Sequence, residues 1–241
     1  MVLIEEPMVL VDRAGHRSTG RIAIGAPVRD GEDRARCEVW LDGIADGAFD
    51  VVGAAPLHAL IAAVRLVGAR LHAHLATGGD VLVLDDAPFD TTVRDWLAPA
   101  PELEALVRAA VPAGDPAAPH DAIGTASESL AEEPIVLVSP AGARVAGRIA
   151  LGRPAPWHEA WQVAVVFDGW SRASPIINET PLFALHLALR FLGFTVFDVL
   201  RRGWQILDAA GAPHPIAAWL GPYVAMPVLP TDTDADALDE P

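Results

Sequence analysis

The chain contains no lysine: all 17 of its basic residues are arginine. That absence excludes enzymes that hold a carbonyl substrate or pyridoxal phosphate as a Schiff base, and phosphate-binding loops that end in a lysine. Cysteine is nearly absent too. Cys37 is the single one, so no disulfide closes within the chain, and a cytoplasmic setting is the default expectation. Long uncharged apolar runs are missing. The most apolar stretch, Pro181 to Leu200, is broken by His186, Arg190 and Asp198, whereas a bilayer-spanning helix needs about 20 mostly uncharged residues. The start, Met1 to Glu6, has no basic segment and is not expected to act as a secretion signal.

Positive charge is also short. Against 32 acidic residues the arginines leave a net charge of −15. Nucleic-acid binding rests on Lys and Arg contacts to phosphate, so neither nucleic acid nor an anionic membrane surface is an expected partner. Solubility is the simplest use of this charge, and a basic protein partner is the other.

What the chain does have is a repeat. Residues 5–27 align with 132–154 without a gap, and 15 of the 23 positions are identical. Glu5-Glu-Pro matches Glu132-Glu-Pro, and Gly20-Arg-Ile-Ala matches Gly147-Arg-Ile-Ala. Further on, Asp42-Gly43 meets Asp168-Gly169, and Pro56-Leu57, Ala59-Leu60, Arg65 and Gly68 meet Pro181-Leu182, Ala184-Leu185, Arg190 and Gly193. Trp96-Leu97 is the expected match of Trp219-Leu220. Self-similarity of this kind marks an internal duplication.

Each copy can be given local structure. Val9–Val11 and the alternating Arg17–Ile24 read as a hairpin turned at Ala14-Gly15. Cys37, Val39 and Leu41 alternate with polar neighbours as a third strand ending at Asp42-Gly43. Leu57, Leu60, Ile61, Val64, Leu71 and Leu75 recur at helical spacing behind Pro56, and Val81–Leu84 is a last strand. In the second copy the turn at Gly169 is expected to lead into a loop of about ten residues before the helix at Pro181. The expectation is an α+β fold of two tandem β-β-β-α-β repeats, each an antiparallel sheet with one main helix, packed as an intramolecular pseudo-dimer. Residues 1–97 form the first repeat, 98–131 a linker with a short helix over 102–111, 132–230 the second repeat, and 231–241 an acidic disordered tail. The first helix carries small residues off its core face (Ala59, Ala62, Ala63, Ala69, Ala73) and the second large ones (Phe183, Leu187, Phe191, Phe194, Phe197). The two helices are therefore expected to face each other, with no further self-assembly beyond a monomer.

Candidate chemistry is sparse. His72 and His74 stand two apart, so they do not share a helix face and are poor joint metal ligands. Gly169-Trp-Ser171-Arg-Ala173 has the letters of a nucleophile elbow without a helix directly behind the serine. Asp232, Asp234 and Asp236 lack the glycine and closing glutamate of a calcium loop. Asp85-Asp86 read as a solvated strand end, with acid–base work or magnesium binding as the sharper alternative. No catalytic residue, metal ligand or cofactor is assigned. Arg21, Asp42 and Arg65 recur as Arg148, Asp168 and Arg190, and are expected to form structural ion pairs repeated about the axis; anion capture between the copies is the alternative. Residues unique to the second copy are the better binding candidates: Trp157, His158, Trp161, Trp170 and Trp204, aromatic side chains on loops and turns.

The pattern resembles an uncharacterised bacterial family, a domain of unknown function. The matching residues are Gly25-Ala-Pro27, Arg36 through Gly43 and Ala59-Leu60 through Gly68, and in the second copy Gly152-Arg-Pro154, Trp161 through Gly169 and Ala184-Leu185 through Gly193. The family's third strand carries Trp-x-Cys, of which the first copy keeps Cys37 and the second Trp161. The resemblance covers both repeats and implies no activity. The resulting expectation is a non-catalytic protein-interaction protein of immunity or accessory type. The rival is a small-molecule binding protein or enzyme with a pocket between the repeats, near Trp157–Trp161.

Overall fold

The computed structural model describes residues 1–45, 47–83 and 129–221. Asp85-Asp86, Trp96-Leu97, the helix expected over 102–111, nearly all of the linker, the acidic tail and its three aspartates lie outside the described residues.

The first copy runs β1 (Val2–Val11), β2 (Arg17–Gly25), β3 (Val28–Arg29), β4 (Ala35–Asp42), β5 (Ala48–Gly53), α1 (Pro56–Ala76) and β6 (Asp80–Val83). The second runs β7 (Ser129–Val138), β8 (Arg144–Gly152), β9 (Ala155–Trp157), β10 (Ala160–Phe167), β11 (Ser171–Asn178), α2 (Pro181–Arg201), β12 (Gln205–Leu207) and a short α3 (Ile216–Leu220). The fold is α+β, with two antiparallel sheets, each followed by one main helix. The sheets have matching orders, β3-β4-β2-β1-β6 with β5 on β4, and β11-β10-β8-β7-β12 with β9 on β10. Even the irregularities repeat: β1 slips register between Val2 and Ile4, and β7 between Ser129 and Ala131.

Two expectations need correction. The segment before each helix is a strand, not a loop. β5 pairs with β4 from Ala35 to Trp40, and β11 pairs with β10 from Trp161 to Phe167. Its signal was weak because Val52 and Ile177 are apolar on the exposed face while Ser171 and Ser174 are polar on the covered one, so neither strand alternates cleanly. The long helices also do not pack chiefly on each other. α1 packs on β4 and β5, α2 on β10 and β11, and the main cross-copy partner of each is the first strand of the other copy: β7 for α1 and β1 for α2. α3 adds a further bridge to α1. Phe191 is buried and Phe194 half-buried against the core, so the large side chains of α2 are covered by this arrangement.

The repeated residues explain the repeated elements. Pro56 and Pro181 stand in the first turn of their helices, where a fixed φ helps and a missing N–H costs nothing. Gly78 and Gly203 follow the last turns at φ 84° and 78°, left-handed values that a residue with a Cβ adopts at a cost. A Cβ on Gly20 would lie 2.8 Å from the carbonyl oxygen of Asp42, and one on Gly147 would meet that of Asp168; this close approach accounts for Gly-Arg-Ile-Ala in both copies. Among the described residues, β6 pairs with β1 from Met8 onward and β12 with β7 from Val136 onward, so Pro7 and Pro134 lie beyond these paired stretches, where a missing N–H is tolerated.

Both sheets and both helices contribute to one apolar core, which joins Ile4, Met8, Leu60 and Val64 of the first copy to Ile135, Leu137, Leu185 and Leu189 of the second. By length and composition α1 and α2 could each cross a bilayer, but 78% of the most apolar window of α2 is buried inside the protein.

Two charged residues enter this core. Strand alternation puts Glu6 in line with Ile4, Met8 and Leu10, and Glu133 in line with Ala131, Ile135 and Leu137; each of the two residues is only 7% exposed. Glu6 accepts hydrogen bonds from the Thr180 hydroxyl and the Leu182 N–H, at the start of α2. Glu133 accepts one from the Leu57 N–H, at the start of α1. Each copy thus supplies an acid to the helix N-terminus of the other.

Candidate functional site

The tryptophans of the second copy do not converge. β10 is eight residues long, about 25 Å at strand rise, and it separates them into two groups. Trp157 is 46% exposed and lies in the β9–β10 hairpin beside His158, ring centroids 5.1 Å apart. His158 holds the turn at φ 53°. Trp161 points the other way, half-buried against the core. At the far end of β10, Trp170 is buried and meets Trp204 edge-on at 5.4 Å, with the Arg202 guanidinium over its ring at 5.5 Å. Trp170 and Trp204 therefore plug one end of the sheet, and Trp157 and His158 stand at the other on the outside.

The charged residues sort as cleanly. Arg21 binds Asp42 at 2.8 Å and Glu5 at 3.2 Å, and Arg148 binds Asp168 at 2.7 Å and Glu132 at 3.0 Å. These triads lie on the outer faces of the sheets, where Arg21 and Asp42 are cross-strand partners. They are part-exposed, so solvent screens each pair and weakens its contribution. Of the other repeated pair, Arg65 is exposed on α1, whereas Arg190 is buried within α2.

Other candidates have structural surroundings. His74 Nε2 lies 3.3 Å from the Asp80 carbonyl oxygen and ties the end of α1 to β6. Ser171 is buried and opens a strand, so no strand-to-helix elbow forms around it. The Cys37 thiol donates to the Gly25 carbonyl at 3.0 Å, and burial pushes its pKa up to about 12. Among the described residues no three His, Cys, Asp or Glu side chains are grouped to hold a metal ion. A cavity of about 210 Å³ lies under the end of α2, lined by Trp204, Ile206, Leu207, His214 and Ile216 among others. All of its lining belongs to the second copy, and none to the Trp157–Trp161 hairpin.

What separates the copies is the outer face of the sheet. Register equates Arg36, Glu38, Asp50 and Val52 of the first copy with Gln162, Ala164, Pro175 and Ile177 of the second. In the first copy this surface is charged, with Arg36 4.0 Å from Asp50. In the second it carries no charge across β10 and β11 at these positions. Ile177 is 47% exposed there, and β9 adds Trp157 alongside, through the pairs Trp157–Ala160 and Ala155–Gln162. Exposed Glu159 and Glu179 flank the patch at the turn and at the strand end. Of this surface, sequence reasoning found Trp157 and His158 but missed Gln162, Pro175 and Ile177. The signal was available in the substitution of charged by uncharged residues between aligned copies, once β5 and β11 are recognised as strands.

No known protein family, curated protein or solved structure matches this chain.

Proposed function

We propose that this chain is a non-catalytic protein-interaction protein that docks a partner on the outer sheet face of its second copy. The observation that carries this reading is the asymmetry just described. The two copies keep the same core, turns and ion-pair triads, yet the second exchanges three charged outward positions for Gln162, Ala164 and Pro175 and adds Trp157. Exposed apolar surface costs solubility and is kept where something covers it, and tryptophan is prominent among residues that dominate binding energy. Glu159 and Glu179 at the margin, within a chain of net charge −15, favour a partner with an apolar contact region and a basic rim.

The test is capture of partners from the host lysate by the tagged chain and by two variants. Ile177→Glu places a charge at the centre of the patch and is expected to lose the stoichiometric partner. Val52→Glu, at the matching place in the first copy, is expected to keep it. Equal capture by both variants would remove this face from the reading. A ligand-binding alternative rests on the 210 Å³ cavity beside His214; it would be favoured if small molecules quench Trp204 saturably while Ile177→Glu changes nothing.

A further inference from the structure

We propose that Glu6 and Glu133 form a reciprocal acid clasp between the two copies, each closing the N-terminus of the other copy's helix, and that this clasp makes the docking of the copies depend on pH. The geometry is the first ground. Both carboxylates project from a first strand into the shared core, both residues are 7% exposed, and each reaches the opening turn of the opposite helix. The clasp is not merely decorative for α1. Its N-cap, Ala55, makes no side-chain hydrogen bond, whereas α2 has Thr180, whose hydroxyl accepts from the Phe183 N–H at 3.3 Å. The free N–H groups of a helix start need an acceptor, and Glu133 of the other copy supplies one to Leu57 of α1.

The second ground is that each carboxylate is only half satisfied. Glu6 Oε2 and Glu133 Oε1 are buried without a hydrogen-bond partner. A helix N-terminus favours negative charge, but an ionised oxygen enclosed by apolar side chains has lost its water, and that cost is larger than for the neutral acid. Thr180 and Leu182 of α2 face Glu6; Leu57 of α1, Arg29 of β3 and the neighbouring Glu132 face Glu133. His186, further along α2, is lowered by burial and by the charge of Arg190.

Burial moves both carboxyls above the usual 4.5, against the opposing pull of their hydrogen bonds and, for Glu133, of Arg29. The folded chain therefore holds more protons than the unfolded chain in the window above pH 4.5. The pair's contribution to stability is fully present below that pH and is lost as pH rises through the raised values. The histidines oppose it. Burial lowers His58, His186 and His214, the second to about 3, so their contribution is present above the usual 6.5 and is lost on acidification. The acid clasp must be read as a difference between variants, since the wild-type profile mixes both.

The experiment is thermal unfolding of the full chain between pH 5 and pH 8, with Glu6→Gln and Glu133→Gln singly and together. Gln keeps the acceptor oxygen and removes the charge. The Tm of the double variant relative to wild type is expected to fall as the pH is lowered from 8 to 5. A Tm difference that does not change with pH overturns the proposal. Carboxyl-carbon and amide NMR titration of the wild type supplies a reading that does not depend on the variants folding. Two glutamates are expected to titrate above 4.5, with the Leu57 amide following one and the Leu182 amide the other. Glu133→Gln should silence Leu57 alone, and Glu6→Gln should silence Leu182 alone. Glutamates that all titrate at or below 4.5, or amides that do not follow them, overturn the clasp.

Discussion

Cys37 shows how a single side chain is decided by its surroundings. It faces the core from β4, and its thiol donates to the Gly25 carbonyl. With the pKa pushed up to about 12, the thiolate needed for reaction with an electrophile is scarce at any ordinary pH. We expect no reaction with an aromatic disulfide reagent at pH 8 in the native state, and one full equivalent in denaturant; fast native labelling would contradict the burial. Alternation in β4 made Cys37 legible from sequence as a core residue. The same alternation puts Glu6 in phase with Ile4, Met8 and Leu10, yet its partner, the N-terminus of α2, lies more than 170 residues away in the chain. No local pattern points to such a contact.

At the scale of elements, the helices were the most legible parts and the penultimate strands the least. Pro56, the 3.6-residue spacing of Leu57, Leu60, Ile61 and Val64, and Gly78 mark α1 from both ends, and the same signals mark α2. β5 and β11 blur the alternation of a half-buried strand: Val52 and Ile177 are apolar on the outward face, and Ser171 and Ser174 are polar on the inward one. Their pairing with β4 and β10 supplies the hydrogen bonds that composition did not advertise. α2 also offers a direct test of capping. Thr180 accepts from Phe183 and donates to Glu6, so Thr180→Val should cost about 1–2 kcal/mol, the loss of a cap together with a buried contact. Thr180→Ser should cost much less. Urea unfolding with an unchanged m-value is the measurement, and equal costs for both variants would show that the hydroxyl is idle.

At the scale of the molecule, the copies are not two independent beads. One core crosses between them, β1 lies on α2, β7 lies on α1, and His58 of α1 stacks on Trp219 of α3 at 4.5 Å with the rings 6° from parallel. Unfolding is therefore expected to be one cooperative transition, seen at the same temperature by Trp40 of the first copy and by the tryptophans of the second. Leu60→Ala, in the first copy, should lower the whole transition by about 2–5 kcal/mol. Two resolved transitions, only one of which moves, would show that the copies fold separately. The outer faces belong to this scale as well. Which of them is charged and which is apolar emerges only when the sheets are laid over each other strand by strand.

The sequence by itself determined the duplication, the α+β class, the helices with their proline starts and glycine ends, and the apolar character of the core strands. These follow from identities and periodicities over a few to a few tens of residues, and such patterns reflect local backbone geometry. Only the tertiary structure decided which element of one copy touches which element of the other. It placed Glu6 and Glu133 each at the helix start of the other copy, parted Trp157 from Trp170 along β10, and turned Gln162, Ala164, Pro175 and Ile177 outward. Those outcomes depend on how two sheets and two helices close around a common core. Contacts between residues far apart in the chain leave no period in the sequence from which to read them.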